Sequence, residues 1–354
     1  MKINREPIIS VCIANYNGME VIGPCLESVF SQEGDIPIEV IVHDDASTDG
    51  SIDFIQQHYP SVRLIPSRIN VGFCTGNNRM VRESSGKYIL LLNNDAVLHH
   101  DALKTLLSNA DELGTFSILS LPQYNIQTKD LIDIGSLLDP FINAVPNKNP
   151  TRYHVGMVSG ACLWIPRDLW NELGGFPAKF EYLAEDAYLC FKARLWGYPV
   201  RTIPKSGFDH WMGNSLGGGK IEQDKLSTTY LRRFHSESNK ISIMAIFFPT
   251  FLLGIVMPLH LLLFTMEGIL LSLLKCDYAI WRNIYSKTLI EVWQRRTWLR
   301  KERIVVQKKR RIGLIKFCSI ISWYPYKLKM FLSHGLPFLG KRGVLLLITI
   351  NSFY

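Results

Sequence analysis

Short apolar runs and helix-like segments alternate along the first 120 residues. The apolar runs occupy residues 7–14, 38–44, 62–66, 87–93 and 116–121, and the segments between them carry apolar residues at helical spacing. This alternation is typical of βαβ units with a parallel sheet buried on both faces, so the predicted fold class is α/β. Ligands of such sheets bind beyond the carboxyl ends of the strands, and the polar residues after each run are therefore the candidates for chemistry.

The pattern changes after residue 121. Residues 122–155 are rich in Pro, Asn and Gly and predict an irregular excursion or a β-ribbon. Regular patterns then return in four segments: a strand at 158–166, a helix at 167–173, a helix at 185–197 and a strand at 198–204. The glycine-rich stretch 209–219 predicts a loop.

Charge divides the chain into two parts. Residues 1–240 hold 22 Lys and Arg against 27 Asp and Glu, whereas residues 241–354 hold 17 against 4. We therefore predict a globular domain over 1–240 and a basic, apolar, helical membrane-associated tail over 241–354. A basic tail favours anionic lipid or nucleic acid as a partner, and the apolar content of this tail favours membrane lipid, with no nucleic acid.

The compartment expected for the globular domain is the cytosol. The sequence from Met1 lacks the apolar core and cleavage site of a signal peptide. The seven cysteines show no CxxC pair and no metal-ligand spacing, which indicates reduced packing residues.

Residues 241–266 contain no Asp, Glu, Lys or Arg and predict a membrane segment. The stretch 282–316 carries 12 Lys and Arg against two Glu, a bias that marks the cytoplasmic side of a membrane. A single crossing would put this stretch on the far side, and two spans of about 20 residues each do not fit into 241–274. We therefore expect a re-entrant hairpin or interfacial helices on the cytoplasmic face of the cell membrane, interrupted at Pro249 and Pro258. The alternative is a buried helical pair of the soluble domain.

Two strand ends carry residues suited to a pyrimidine base. Tyr16 follows the first strand, and its ring can stack on a base. Asp45 follows the second strand, and its carboxylate can accept the imide N–H of uracil or thymine. Ser47 or Thr48 can also cap the helix that follows, which would explain this motif without a ligand. Together, Tyr16 and Asp45 suggest a nucleotide-base site.

Carboxylates near later strand and helix ends suggest a cation site and a proton acceptor. Asp95 follows an apolar strand where a diphosphate would lie, and Mg²⁺ or Mn²⁺ binds to one or two carboxylates plus substrate phosphates. His210, expected in the loop after the last strand, can share that ion. Glu185 and Asp186 begin a helix, where acids also favour the helix dipole. A carboxylate at that place can take a proton from an attacking hydroxyl.

Taken in order, these segments resemble family 2 of the inverting glycosyltransferases, which has the GT-A fold. The segments are 10–18, 42–51, 70–78, 90–98, 159–176 and 185–198, followed by His210 and Ser215. Bacterial members that build surface polysaccharides, including rhamnosyltransferase-like proteins, are the most similar. The resemblance covers about residues 7–240 and implies a mostly parallel nucleotide-binding sheet flanked by helices.

The resemblance also implies a role for each candidate residue. The nucleotide would contact Tyr16, Asp45 and Asn94; a divalent cation, Mg or Mn, would bind to Asp95 and His210; the catalytic base would be Asp186; and the acceptor side would include Glu185, Gly175 and Phe176. Two departures from the family pattern stand out. The DxD-like motif, 93–95, has one carboxylate, and Tyr188 stands where many relatives have a second Asp. No QxxRW motif follows, which disfavours a processive synthase.

These features together predict a non-processive, inverting glycosyltransferase. It would move one sugar from a dTDP or UDP sugar, with rhamnose as one candidate, to a hydroxyl of a lipid-linked or growing saccharide. A sugar nucleotidyltransferase is one alternative, but it needs a glycine-rich basic loop where this chain has Asn-Tyr-Asn-Gly at 15–18. The other alternative is a catalytically silent membrane scaffold. Its absence of catalysis is disfavoured by the joint presence of four candidate residues, Asp45, Asp95, Asp186 and His210.

Overall fold

The computed structural model describes residues 6–114, 116–211, 218–222 and 225–340. The chain divides into two compact units. The first unit contains Met1–Leu138, Ala144–Trp211 and Val306–Ser322; the second contains Asp139–Asn143, Met212–Val305 and Trp323–Tyr354. Most of the loop predicted at 209–219 lies outside the described residues. The domain boundary predicted at residue 240 stays a prediction.

Short strands and helices alternate through the first unit, and helices dominate the second. The strands are β1 Ile9–Asn15, β2 Ile38–Asp44, β3 Arg63–Pro66, β4 Tyr88–Asn93, β5 Ala96–Leu98, β6 Ile118–Ser120, β7 Gln123–Asn125, β8 Leu131–Asp133, β9 Ser136–Leu138, β10 Ala144–Pro146, β11 Cys162–Pro166, β12 Val200–Thr202, β13 Phe208–His210, β14 Gly218–Glu222, β15 Lys225–Thr229 and β16 Phe338–Gly340. The helices are α1 Ile22–Phe30, α2 Ser51–His58, α3 Phe73–Glu83, α4 Ala102–Leu113, α5 Arg167–Leu173, α6 Glu185–Leu195, α7 Tyr230–Phe247, α8 Thr250–Leu274, α9 Tyr278–Ile280, α10 Lys287–Gln294, α11 Arg296–Lys308, α12 Leu314–Cys318 and α13 Tyr326–His334. A 3₁₀ turn at Ala178–Phe180 precedes α6, and a π-helical segment at Trp281–Ser286 precedes α10.

A seven-stranded sheet in the order β12-β6-β11-β4-β1-β2-β3 forms the centre of the first unit. All neighbours pair in parallel except β11, which is antiparallel to both β4 and β6. The apolar runs of β1 and β4 are buried on both faces because helices cover the sheet on each side. The α/β prediction with a mostly parallel sheet is therefore confirmed.

A smaller four-stranded sheet, β5-β13-β7-β8, stands beside the end of β4 in the same unit. It takes its strands from the segment after Asn93, from the excursion 122–155 and from residues 208–210. The prediction that His210 lies in a loop is wrong, because it ends strand β13. Its backbone pairs with β5 and β7, which are distant in sequence, so no local pattern signals this strand.

The second unit contains the long helices α7 and α8. Pro249 separates them as the residue before α8, as predicted. The prediction that Pro258 also interrupts the segment is wrong, because Pro258 lies inside α8, a helix of 25 residues that continues to Leu274. The residue four positions earlier, whose carbonyl Pro258 cannot bond, is Gly254, and a Cβ there would meet nothing within 4 Å. Pro258 therefore removes one internal hydrogen bond of α8 without ending the helix.

Candidate active site

The polar ends of β1, β2 and β4 meet through the side chain of Asn15. Its amide nitrogen donates to Asp44 Oδ2 at 2.8 Å and to Ser51 Oγ at 3.0 Å. Its amide oxygen accepts a hydrogen bond from Asn94 Nδ2 at 2.9 Å. Asn15 is buried. Because one buried amide joins three strand ends, the turns that follow them form a single surface at the carboxyl edge of the sheet.

Asp45 and Tyr16 lie at neighbouring strand ends, as predicted for a base site. The backbone N–H of Asp45 donates to the carbonyl of Asn15 at 2.9 Å, next to Tyr16. The buried Asp45 carboxylate accepts hydrogen bonds from the backbone N–H groups of Val71 at 2.6 Å and Gly72 at 2.9 Å. The Tyr16 ring is 37% exposed. The carboxylate is thus held in one orientation, with a second lone pair left on each oxygen, beside an exposed aromatic ring.

Asp95 and His210, the predicted cation ligands, are in contact. His210 Nε2 lies 3.0 Å from Asp95 Oδ1, and His210 Nδ1 lies 3.0 Å from Gln123 Nε2. The antiparallel pairing of β5 with β13 sets His210 opposite Ala96. The backbone N–H of Trp211 also donates to the Asp95 carbonyl at 3.1 Å. Strand pairing therefore fixes the imidazole beside the carboxylate.

The residues around Asp95 fit a hard divalent cation whose coordination is completed by phosphate oxygens. In the described ranges, no group of three or more His, Cys, Asp or Glu side chains can hold a metal ion. The buried amide oxygen of Asn93 has no hydrogen-bond partner among the described residues, and Asn93 Nδ2 lies 3.5 Å from His210 Nε2. This oxygen is a third candidate ligand beside the carboxylate and the imidazole. Mg²⁺ and Mn²⁺ accept such incomplete protein ligand sets when a diphosphate supplies the rest.

The carboxylate of Asp186 is partly buried at the start of α6. Its Oδ2 accepts the backbone N–H of Gly160 at 3.1 Å, and its Oδ1 accepts the backbone N–H of Ala187 at 2.7 Å. Burial raises the pKa of Asp186 above its ordinary value, hydrogen bonds from the backbone N–H groups of Gly160, Ala187 and Asp186 itself partly offset this rise, and the charge of Asp133 adds to it. A carboxylate with a raised pKa is a stronger proton acceptor at neutral pH.

Backbone hydrogen bonds connect Asp186 with the turn that carries Asp95. Gly160, which donates to Asp186, is followed by Ala161, whose carbonyl accepts the Asn93 N–H at 3.1 Å. This contact continues the antiparallel pairing of β11 with β4. The structure therefore brings the Asp186 and Asp95 segments to the same edge of the central sheet.

The three predicted acceptor-side residues lie at the start of α6 and in the turn after α5. Glu185 is buried. Gly175 has a φ of +66°, and a Cβ there would lie 2.5 Å from Asn78 Oδ1, which accepts the N–H of Phe176 at 3.0 Å. Phe176 is buried, and its ring packs against Trp170. Gly175 and Phe176 therefore anchor the turn to α3, and their acceptor-side role stays a prediction.

Three residues of this region were not singled out by the sequence analysis. Gln123 contacts His210 but lies in the excursion, where no periodic pattern marks it. Gly160 holds Asp186 through its backbone, so its side chain gives no signal. Tyr182 donates to Asn70 Oδ1 at 2.9 Å; burial raises the pKa of Tyr182 to about 12, with the charge of Asp45 adding to the rise. These contacts depend on the fold rather than on local sequence.

A substitution of Gly18 tests the joined turns. A Cβ at this position would lie 2.2 Å from Asn94 Nδ2 and 2.3 Å from Asn15 Oδ1, so Gly18→Ala must break the hydrogen bond between them. We expect the free energy of unfolding to fall by about 1–3 kcal/mol and nucleotide affinity to fall with it. Denaturant unfolding and calorimetry measure the two effects. Gly313→Ala is the matched control, because a Cβ there meets nothing within 4 Å. Equal stability of the two variants would contradict this account of the turns.

Part of this site lies in a range that matches a known family model. The sequence model of Glycosyl transferase family 2 matches residues 10–174. The matched range includes the turns at 16–18, 45 and 93–95 and ends before α6. Asp186 and His210 lie beyond it.

Curated relatives are glycosyltransferases. N-acetylglucosaminyl-diphospho-decaprenol L-rhamnosyltransferase of Mycobacterium tuberculosis is 26% identical over 228 residues, which cover 55% of this chain and 74% of the relative. Hyaluronan synthase of Pasteurella multocida is 34% identical over 182 residues, which cover 51% of this chain and 18% of that enzyme. Among solved structures, GalNAc-T7 with UDP, GalNAc and Mn²⁺ superposes with a TM-score of 0.55 at 14% identity, over 68% of this chain and 48% of that one. This likeness shows a shared GT-A fold.

Proposed function

We propose that this chain, whose residues 10–174 match the Glycosyl transferase family 2 model, is a glycosyltransferase that transfers one sugar, with inversion, from a pyrimidine nucleotide diphosphate sugar to a saccharide hydroxyl. The observation that carries the proposal is the meeting of three strand ends and α6 at one sheet edge. At this edge Asp45 would serve nucleotide binding, Asp95 leaving-group stabilisation and Asp186 proton removal.

The donor nucleotide would lie across the ends of β1, β2 and β4. The exposed ring of Tyr16 supports stacking on the base, and the oriented carboxylate of Asp45 supports acceptance of an imide N–H. This chemistry favours a base with a ring N–H, such as uracil or thymine, over adenine or cytosine. Asn94, fixed by Asn15, would stand on the path of the ribose and phosphates.

The diphosphate would lie beside Asp95, His210 and the amide oxygen of Asn93. These residues would hold a divalent cation, which when bound neutralises charge on the departing diphosphate. The contact between Gln123 Nε2 and His210 Nδ1 orients the imidazole, and strand pairing with β5 fixes the His210 backbone. The protein thus contributes one carboxylate, one imidazole and one amide, consistent with a motif that has a single Asp. We propose Mg²⁺ or Mn²⁺ as this ion.

The acceptor hydroxyl would approach Asp186. Its carboxylate takes the hydroxyl proton while the oxygen attacks the anomeric carbon from the face opposite the leaving diphosphate. The two backbone N–H groups at Gly160 and Ala187 keep the carboxylate oriented during this step. The raised pKa of Asp186 strengthens it as a base. Attack from the opposite face inverts the anomeric configuration.

A donor screen tests the proposal. The full chain is incubated with UDP, dTDP and GDP sugars and Mn²⁺ or Mg²⁺, and the released nucleoside diphosphate is measured. We expect release from a dTDP or UDP sugar, and the rhamnosyltransferase relative makes dTDP-rhamnose the first donor to try. Release from GDP sugars alone would contradict the proposed pyrimidine nucleotide donor.

We further propose that α8 holds the enzyme on the cytoplasmic face of a membrane. In the part of the chain that the structure describes, α8 is the one helix long and apolar enough to cross a membrane, and 22% of its apolar 18-residue stretch is buried. Its buried stripe includes His260, and Glu267 forms ion pairs with Arg233 of α7 and with Lys327. Helix α7, which carries charged residues, packs along this face of α8. The remaining apolar face of α8 therefore supports an interfacial or re-entrant arrangement rather than a span surrounded by lipid on all sides. The donor is cytosolic, which favours that face.

A pair of substitutions on the exposed face of α8 tests membrane binding. Leu262 and Leu270 are more than half exposed, so Leu262→Glu with Leu270→Glu removes lipid contact without emptying the core. Burial of a leucine contributes about 1.5–3 kcal/mol, and we expect partition into lipid vesicles to fall at least about tenfold. Flotation of the purified chain with vesicles measures this.

The matched control is Ile69→Glu with Phe116→Glu, which places the same two charges at exposed apolar residues of the first unit. It should leave vesicle partition unchanged. Unchanged partition of the α8 variant would instead support the alternative that α8 is a helix of a soluble unit.

A further inference from the structure

A cationic cavity lies in the first unit, in residues that the proposed reaction does not use. Its volume is about 330 Å³, and it is lined by Thr151, Arg152, Tyr153, His154, Ser319 and Ile320. The segment 151–154 forms one wall, and the residues after α12 form the other. The backbone of His154 pairs with that of Arg201 in β12, which brings a second arginine to this wall.

We call Arg152, Arg201 and Lys316 the basic cluster. Arg152 lines the cavity, Arg201 contacts the lining residue Tyr153, and the charge of Lys316 acts on the lining residue His154. Arg152 donates to the Ser319 carbonyl at 3.3 Å, and the Arg201 guanidinium lies 4.6 Å from the centre of the Tyr153 ring. Within the described residues, none of the three forms an ion pair with a carboxylate. The cluster therefore carries uncompensated positive charge around a concave surface.

The pKa of His154 reflects the same excess of positive charge. Desolvation and then the positive charges of Arg201, Arg194 and Lys316 lower the pKa of His154. Tyr153 and Thr151 add side-chain hydroxyl groups to the wall. Guanidinium, ammonium and hydroxyl groups are the donors with which proteins bind phosphate.

An exposed apolar surface adjoins the cluster. Ile315, the residue before Lys316, is 90% exposed, and Leu314 is 42% exposed. Both belong to α12, the helix that carries Lys316. A free anion gains nothing from such neighbours, whereas a phosphate attached to an acyl or prenyl chain contacts both surfaces at once.

We propose that the basic cluster binds the phosphate group of a lipid. The inference rests on the proposed function in that it names the contact between this glycosyltransferase and its membrane or lipid-linked partner. Two sources share the chemistry: the headgroup of an anionic phospholipid, and the diphosphate of a lipid-linked saccharide. Both present phosphate oxygens at the edge of an apolar phase.

Vesicle flotation with the full chain tests the proposal. The three vesicle types are phosphatidylcholine alone, phosphatidylcholine with phosphatidylglycerol, and phosphatidylcholine with a polyprenyl diphosphate. The variant carries Arg152→Gln, Arg201→Gln and Lys316→Gln. Each basic residue near an anionic surface contributes up to about fivefold in partition, so we expect the preference for phosphate-bearing vesicles to fall at least about tenfold. Partition into phosphatidylcholine alone should not change, because α8 does not differ between the proteins.

The matched control neutralises three exposed cations elsewhere in the same unit, Arg68→Gln, Lys179→Gln and Lys205→Gln. It should keep most of the preference. Loss with both anionic vesicle types would assign the cluster to bilayer phospholipid, and loss with the polyprenyl diphosphate alone would assign it to the lipid-linked acceptor. Equal losses in the two triple variants, an unchanged preference, or full competition by equimolar inorganic diphosphate would overturn the proposal.

Nucleotide binding separates this test from that of the proposed function. Calorimetry with UDP and dTDP should give affinities within about twofold of the wild type for both triple variants. If the lipid preference is lost while nucleotide affinity is kept, the cluster is supported on its own. Absence of nucleotide binding in the wild type would count against the proposed function and leave the lipid result standing.

Discussion

Replacement of Asp186 by Asn is expected to lower kcat at least about a hundredfold while nucleotide binding is kept, because loss of a general base costs about 10²–10⁴ in rate. The side chain keeps its size, and its oxygen can still accept the backbone N–H of Gly160 or Ala187. The amide cannot take the acceptor proton. Initial rates of nucleotide release with saturating acceptor, together with calorimetry of UDP and dTDP, give the two quantities.

Glu185→Gln is the matched control at the neighbouring position of α6. It removes an adjacent carboxylate, and we expect a smaller loss of kcat than for Asp186→Asn. A pH profile gives a further readout. Since burial raises the pKa of Asp186, wild-type kcat/KM should fall as the pH decreases through this raised value. The residual kcat/KM of Asp186→Asn should not show this decrease. Near-normal turnover of Asp186→Asn would move the base to Glu185 or elsewhere.

Replacement of Asp95 by Ala is expected to abolish the dependence of nucleotide binding on a divalent cation. Asp95 supplies the one carboxylate of the turn and lies 3.0 Å from His210, so its loss leaves an imidazole and an amide as protein ligands. Calorimetry of UDP and dTDP with and without Mn²⁺ measures the effect as the ratio of the two affinities. We expect a ratio near one for Asp95→Ala.

Two further variants rank the ligands. Asn94→Ala should only weaken nucleotide binding, because Asn94 bonds to Asn15 and is not among the candidate ion ligands. His210→Ala should lie between Asn94→Ala and Asp95→Ala if the imidazole shares the ion. If the Mn²⁺ dependence of Asp95→Ala equals that of the wild type, Asp95 does not bind the metal.

The central sheet could be predicted because its strands are buried on both faces. Continuous apolar runs such as those of β1 and β4 reflect that burial directly, and the polar residues after them mark the ligand edge. The same logic selected Tyr16, Asp45 and Asp95 as candidates. These residues follow strands whose ends the fold brings together through Asn15.

What could not be predicted depends on long-range pairing. Strand β13 consists of three residues, and its partners β5 and β7 lie more than 80 residues earlier, so His210 was expected in a loop. The contact of Gln123 with His210 arises from the same pairing. Long-range strand pairing thus overrode the local signal at His210. In the tail, the expected break at Pro258 rested on local propensity, and α8 continues through this proline to Leu274.

The anomeric configuration of the first-formed product tests the central claim most directly. The claim is that a hydroxyl deprotonated by Asp186 attacks the donor sugar from the face opposite the diphosphate. Time-resolved NMR of the wild-type chain with a donor of known configuration, and with water or a saccharide as acceptor, observes the product before it equilibrates. The account predicts that the first anomer has the configuration opposite to that of the donor. A first product with the donor's own configuration would contradict direct displacement and the role given to Asp186.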